Sequence, residues 1–399
     1  MDRDGLRVLV LGVWFPYPPR WGWAVRVYHL ARQLARSHEV TLLTYGTSAD
    51  QPHVAELREE GIHAETVLRE RPSKAARRRD QLASLVNRLP FESYIARSAE
   101  LQDAIDRLSA ERPFDVVQLE STLVWPFRFP SESRLVLDEH NIEYENYARH
   151  QEMEGSPVRK AFYAFEAAKV RRYEQSAWRQ VAGCVLTSAR EEEIVRAVAP
   201  ETQTMVVPNG VDVDYFRPGT DEREAASIVF NGVLDYRPNL DAALFLIDEV
   251  LPLVRAEHPE ASVTIVGRGD PAELSRVRGP NVEATGEVPD VRPYLQQAAV
   301  VAVPIRAGSG TRFKVVEGLA VAAPMVSTAV GCEGIGVRDG EHLLVADSAE
   351  DFAAAVVRLL RDRELGRRLG AAGRRFIEDE YSWESAGARL ETLYERIAE

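Results

Sequence analysis

Apolar residues recur along this chain in two alternating rhythms. Arg7-Val8-Leu9-Val10-Leu11-Gly12 is a short, uninterrupted, β-branched run, the pattern of a parallel strand buried on both faces. A loop rich in aromatics and proline follows, from Trp14 to Trp23. From Ala24 to Ser37 the rhythm turns helical, with Val27, Leu30, Ala31 and Leu34 on one face. Glu39 to Thr44 is the next strand. This β-loop-α-β opening predicts a doubly wound α/β domain. Further strands are expected at Asp115 to Leu119, Arg134 to Asp138 and Gly183 to Thr187. Helices are expected at Lys74 to Leu89, Ser98 to Ala110 and Val158 to Trp178.

The same architecture starts again near residue 227. Strands are predicted at Ser227 to Phe230, Ser262 to Val266, Val282 to Ala284, Val300 to Pro304, Pro324 to Thr328 and Leu343 to Val345. A helix over Leu240 to His258 holds Pro252, which removes a donor and predicts a kink or break. Lys314 to Ala322 and Trp383 to Ile397 are further helices. Pro208-Asn209-Gly210 is a strong turn signal between the two series. The expected division is an N-terminal Rossmann-like domain over 1–205, a linker over 206–219 and a C-terminal Rossmann-like domain over 220–382. The two domains are expected to face a cleft, with the helix of 383–399 crossing back to the first.

Composition narrows the function classes. The chain has 399 residues, too many for one ordinary core. It is 45% hydrophobic and 28% charged, a normal globular mixture. Its net charge of -13 opposes nucleic-acid binding through a phosphate backbone. Cys184 and Cys332, far apart, give neither a zinc site nor a disulfide framework, and fit a reducing cytoplasm. The apolar run Val8 to Val13 is too short, and too acidic before it, for a signal peptide. No run approaches the ~20 apolar residues of a spanning helix, so the expected location is cytoplasmic. Peripheral contact with the inner face of a membrane stays open. The basic stretches Arg69 to Arg79 and Lys160 to Arg179 suit anionic lipid as well as plain solvated helix faces.

Val206-Val207-Pro208-Asn209-Gly210-Val211-Asp212-Val213-Asp214-Tyr215-Phe216 closely resembles the interdomain signature of the group-one, family 4-like retaining glycosyltransferases of GT-B fold. Four more segments agree in order: the first strand with the loop ending at Gly22, Val266-Gly267-Arg268-Gly269, Gly286-Glu287-Val288, and Lys314 to Thr328 around Glu317. The resemblance covers essentially the whole chain, and its subgroup carries a Gly-x-Gly-Thr-Arg-x-Lys loop. It implies transfer of a sugar, with retention, from a nucleotide-diphosphate sugar to a hydroxyl of a sugar, lipid-linked or small-molecule acceptor. It implies no cofactor and no metal. The chain shows neither an Asp-x-Asp motif of the metal-dependent type nor a His or Cys cluster. Two alternatives stay open: a nucleotide-sugar epimerase on the same fold, and a degenerate nucleotide-sugar-binding protein.

The residues themselves fit a diphosphate. Gly308, Ser309, Gly310 and Thr311 lie between a strand and the next helix, where backbone N–H groups and the helix dipole favour an anion. Arg312 and Lys314 add positive charge at the same place. Basic side chains oppose the dipole there, so an anionic partner explains them better than a plain helix start does. Glu317, one turn on, is placed to accept the ribose hydroxyls, the role that its family counterpart has. Two departures stand out. Ser309 occupies the position where many relatives have the first Glu of an E-x7-E motif. Val233 and Asn239 replace an Arg and a Lys that cradle the diphosphate, which assigns that charge to Arg312 and Lys314, with Arg237 in reserve. Gly267, Arg268 and Val288 are expected along the nucleotide.

In the first half, Asp138-Glu139-His140-Asn141 closes a strand. The resemblance places His140 beside the donor sugar and Gly22 at a close backbone approach to donor or acceptor. Tyr17, Trp21 and Trp23, with Phe15, are candidates for an acceptor platform, with core packing as the alternative.

Overall fold

The structure, a computed structural model, describes residues 5–19, 21–69, 79–81, 83–84, 87–220, 222–307 and 313–398. The expected helix start at Lys74 and the loop residues Gly308, Ser309, Gly310, Thr311 and Arg312 lie outside these. The chain divides into two units, residues 1–208 with 386–399, and residues 209–385.

The first unit is built on a seven-stranded sheet in the order β3-β2-β1-β4-β5-β6-β7, all parallel. Its strands are β1 (Arg7–Gly12), β2 (Glu39–Gly46), β3 (Ile62–Leu68), β4 (Val116–Leu119), β5 (Arg134–Glu139), β6 (Gly183–Leu186) and β7 (Gln203–Val206). Each crossover needs a helix, so helices cover the faces and the central strands are apolar on both sides. β1, β4 and β6 are buried at every position. The helix Gly22–Leu34 buries Val27, Leu30, Ala31 and Leu34, the face expected for it, but starts two residues earlier. Two strands were not expected. β3 and β7 are the edges of the sheet, half-exposed, and mix His, Glu, Gln and Thr with their apolar residues. β7 ends at Val206, the first residue of the expected linker.

The second unit carries a six-stranded parallel sheet in the order β10-β9-β8-β11-β12-β13. These strands are β8 (Ser227–Asn231), β9 (Ser262–Val266), β10 (Val282–Gly286), β11 (Val300–Val303), β12 (Met325–Ser327) and β13 (Leu344–Val345). The long helix foreseen over Leu240 to His258 is interrupted as Pro252 requires. Arg237–Leu244 and Leu251–Glu257 are α-helical, and Phe245–Val250 between them is wound as a π-helix. Without an N–H, Pro252 cannot donate to the carbonyl four residues back, and the wider turn absorbs the clash.

The helix Trp383–Ala398 brings the chain back into the first unit. There Leu393 packs against Gly183, and the Tyr394 hydroxyl donates to the Gln118 side-chain carbonyl. Among the described residues no helix is long and apolar enough to cross a membrane.

Candidate functional site

In open parallel sheets, ligands collect beyond the carboxyl ends of strands where the strand order reverses. Each unit has one such point, beside β1 and β4 in the first and beside β8 and β11 in the second.

In the first unit the register Leu11↔Leu119↔Leu137 sets Gly12, Glu120 and Asp138 side by side. Asp138 faces the helix Gly22–Leu34, where Arg26 donates to both its oxygens at 2.8 to 3.2 Å. Both side chains are fully buried, and Arg26 also donates to the Val207 carbonyl. Glu139 alternates to the opposite face and accepts from the Trp178 indole at 2.7 Å. Burial, together with the charge of Glu174, holds the Glu139 carboxyl well above its usual range. His140, one residue past β5, points Nε2 at the Glu120 carboxylate, 3.0 Å away. Burial pushes Glu120 up and Asp138 adds to it, while bonds from His140 and Gln118 pull it down.

An aromatic wall stands over these carboxylates. Trp23 approaches within 3.0 Å of where a Cβ on Gly12 would sit, so any larger residue there would press on the indole. Its N–H donates to the Glu120 carbonyl at 3.2 Å, and its ring stacks on His140 at 6.0 Å. Trp21 stacks on Trp23 at 5.4 Å, and Trp14 meets both edge-on. Trp14 and Trp21 remain 45% and 46% exposed, surface that packing alone does not use. Tyr17 is elsewhere, its ring against Tyr28 and His53. Gly22 is exposed in the first turn of its helix, which has no side-chain cap. Glu120, Gln118 and Trp14 were not foreseen as site residues. A carboxylate directly after the apolar run of β4 was the one available signal for Glu120.

In the second unit the helix Phe313–Ala320 presents Lys314 and Glu317 on one face, one turn apart. The Lys314 ammonium donates to the Asn239 side-chain carbonyl at 3.0 Å and lies 5.6 Å from the ring of buried Phe230. The Asn239 amide in turn donates to the Val233 carbonyl at 2.9 Å. Glu317 accepts from the Asn231 amide at 3.3 Å, at the end of β8. Burial pushes the Glu317 carboxyl up, and the Lys314 charge and Asn231 bond partly offset this. The Asn231 side-chain oxygen is buried and has no hydrogen-bond partner among the described residues.

At the end of β9, Gly267 has φ +147, and a Cβ there would lie 2.2 Å from the Gly232 carbonyl. The close packing of the β8 and β9 turns therefore needs glycine at 267. Arg268 is exposed, 4.0 Å from Asp235; Arg237 is exposed at the start of its helix; Val288 packs against the core.

Two groups bear on metal binding. Asp212-Val213-Asp214 does read Asp-x-Asp, but the Asp212 carboxylate accepts the amides of Asp214 and Tyr215 at 3.0 and 2.8 Å and serves a turn. Glu120, Asp138 and His140 bring three ligand atoms within 4.8 Å of one another. Arg26 occupies both oxygens of Asp138, and Gln118 and His140 occupy Glu120. A cation would have to displace a buried guanidinium, so this set fits a hydrogen-bonded network better than a coordination shell.

Two parallel sheets of this kind in one chain fit the GT-B fold. Sucrose-phosphate synthase from Thermosynechococcus elongatus superposes with a TM-score of 0.69 at 20% identity, over 98% of each chain. The model of the "Glycosyl transferase 4-like domain" matches residues 21–210, and that of "Glycosyl transferases group 1" matches residues 225–362. The two halves of the chain are thus similar to the 4-like and group 1 glycosyltransferase domains. It is 29% identical over 203 residues to phosphatidyl-myo-inositol mannosyltransferase of Mycolicibacterium smegmatis, covering 48% of this chain and 52% of the relative. It is 30% identical over 210 residues to the GDP-mannose-dependent monoacylated alpha-(1-6)-phosphatidylinositol monomannoside mannosyltransferase of Corynebacterium glutamicum, covering 47% and 55%. The matched stretch thus spans about half the length of these relatives.

Proposed function

We propose that this protein transfers a hexosyl group, with retention and without a metal ion, from a nucleotide-diphosphate sugar to an acceptor hydroxyl. The observation that carries the reading is the polar cluster of the second unit. Lys314 rests on Asn239, the position at which related chains place a lysine, so the positive charge missing there is supplied from the neighbouring helix. Glu317 accepts the ribose hydroxyls. The buried, unpartnered oxygen of Asn231 marks the same place as incomplete without a ligand. Lys314, Arg312 and the amides of Gly308, Ser309 and Gly310 receive the diphosphate. His140 meets the donor sugar, and Trp14 and Trp21 face the acceptor.

In the transfer, the bond from the anomeric carbon to the diphosphate oxygen breaks as the acceptor oxygen bonds to that carbon from the same face. The acceptor proton passes to the departing diphosphate, so no separate base is needed. Positive side chains and helix amides stabilise the charge that develops on the leaving group. The names of the two mannosyltransferase relatives make GDP-mannose with an inositol-bearing lipid the first pair to assay.

The test is thermal unfolding with UDP, GDP, dTDP and ADP, followed by transfer assays with and without EDTA. The matching nucleotide at about 100 times its Kd should stabilise by roughly 2.7 kcal/mol. Transfer should survive EDTA and retain the anomeric configuration. Stabilisation by no nucleotide overturns the donor site, activity restored only by a divalent cation overturns metal independence, and nucleotide binding without turnover points to a binding protein.

A further inference from the structure

A chain of buried hydrogen bonds runs from the C-terminal helix to His140, and the reaction scheme above makes no use of it. It starts at Tyr394, fully buried, whose hydroxyl donates to the Gln118 side-chain carbonyl. That bond fixes the orientation of the Gln118 amide, because only its oxygen can accept. The Gln118 nitrogen then faces Glu120 and donates to Oε1 at 2.6 Å. Glu120 is left with Oε2 for His140, 3.0 Å away. Burial holds the Tyr394 phenol well above its usual range, so this end of the chain remains a donor. Every bond therefore points toward Glu120 as an acceptor. The other charges near the ring are Asp138, held by Arg26, and Glu143, whose carboxyl feels the imidazole. Trp23 closes one face of the ring. The His140 side chain keeps 12% of its surface exposed, and Nδ1 has no hydrogen-bond partner among the described residues.

We infer that Glu120 is a positioning residue that holds His140 as the Nε2–H tautomer, leaving Nδ1 as a hydrogen-bond acceptor for a sugar hydroxyl. The inference rests on the reading of His140 as a sugar-contact residue, and it adds a rule of selection to it. An imidazole nitrogen carrying a lone pair accepts from a neutral hydroxyl and repels a carboxylate. The site therefore takes a neutral hexose and rejects a hexuronic acid oxidised at the contacted position.

Glu120→Gln is a nearly isosteric reversal. The Gln118 amide still donates to the new side-chain oxygen, so the new amide nitrogen faces Nε2 and must donate to it. The proton then moves to Nδ1. Histidine 15N–1H correlation spectra of the free protein at pH 8, with His140 assigned by its loss in His140→Gln, read the tautomer directly. Wild type should show the proton on Nε2, and Glu120→Gln should show it on Nδ1. Tyr394→Phe alone should leave the proton on Nε2, since a carboxylate only accepts, whereas Tyr394→Phe combined with Glu120→Gln should give both forms, because Gln118 is then free to turn over. In wild type, a proton on Nδ1, alone or with Nε2, overturns the inference without recourse to any variant. An unchanged tautomer in folded Glu120→Gln also overturns it.

With the nucleotide-hexose donor that the assays above identify, Glu120→Gln should narrow the kcat/KM preference for hexose over the matching uronate by tenfold or more. Affinity for the free nucleoside diphosphate should stay within twofold. A tautomer that reverses while that preference is unmoved keeps the relay but removes His140 from the sugar site, so the two failures are distinguishable.

Discussion

The polar residues at the strand ends of the two units are in opposite conditions. In the first, nearly every buried charge is answered from within the protein. Asp138 has the Arg26 guanidinium, Glu120 has Gln118 and His140, and Glu139 has the Trp178 indole. In the second, among the described residues, Glu317 has one long bond from Asn231, whose own oxygen is buried and unpartnered. A satisfied network rigidifies a surface before any ligand arrives; an unsatisfied one costs free energy until a ligand completes it. On the proposed function, the first unit presents a preformed wall and the second a receptor whose stability should depend on its nucleotide.

The largest effect should come from removing a buried partner in the preformed wall. Arg26→Ala leaves the Asp138 carboxylate buried without its counter-ion and should cost about 3–5 kcal/mol in urea unfolding. Arg26→Met with Asp138→Leu should recover most of that loss, because neither charge then remains. A cost below about 1 kcal/mol for the single change would remove the contrast between the units.

Next in size is Glu317→Ala. A charge-assisted hydrogen bond is worth ~1.5–3 kcal/mol, so nucleotide affinity should fall tenfold or more. The free protein should lose little stability, since Glu317 makes one long bond within it. Isothermal titration beside thermal unfolding separates the two. An unchanged affinity would take Glu317 out of the ribose site.

A pH dependence sharpens the same contrast. Glu174 lies in the helix Pro157–Trp178 and accepts the Glu143 and Tyr144 amides at 2.8 and 3.1 Å. Burial nevertheless pushes its carboxyl up from 4.5 to about 8. With the folded value above the unfolded one, the unfolded chain loses its proton first. The stability present below pH 4.5 is then lost as pH rises toward 8, by up to about 1.4 kcal/mol per unit. Glu174→Gln should flatten that slope, and its advantage over wild type should widen up to about pH 8 and then level. A difference independent of pH would show that Glu174 does not titrate in this range.

The sequence yields the sheet cores and the residues proposed for the donor more readily than it yields the wall. β1, β4 and β6 are buried on both faces, and their mostly apolar runs identify them, although β4 carries Gln118 within it. β3 and β7 are edges whose polar residues meet solvent, and an alternating or mixed run carries no such mark. Lys314 and Glu317 were legible because one helical turn and the glycine-rich approach put them together within a few residues. The relay to His140 joins positions 118, 120, 140 and 394, which only the tertiary fold makes neighbours. Tyr394 reads in sequence as one more large residue on an amphipathic helix. Tyr17 lies close to the tryptophans in the chain, but its ring packs on Tyr28.

The smallest expected effect is the most discriminating. Trp23 is unsuitable as a probe of acceptor binding, because it packs on Gly12, bonds to the Glu120 carbonyl and stacks on His140. Its removal would disturb the fold and the sugar contact together. Trp21 has an exposed ring whose aromatic contacts among the described residues are Trp14 and Trp23, so Trp21→Ala removes surface with little else. If that surface meets the acceptor, Trp21→Ala should raise the acceptor KM severalfold. Nucleotide affinity should stay within about twofold, a change under ~0.5 kcal/mol. Lys314→Ala should do the reverse and weaken nucleotide binding whatever the acceptor. Titrations and transfer assays on the same two variants give the comparison. Should Trp21→Ala lower nucleotide affinity as severely as Lys314→Ala, the wall and the receptor would be parts of one donor site, and the contrast between the units would be a contrast of packing alone.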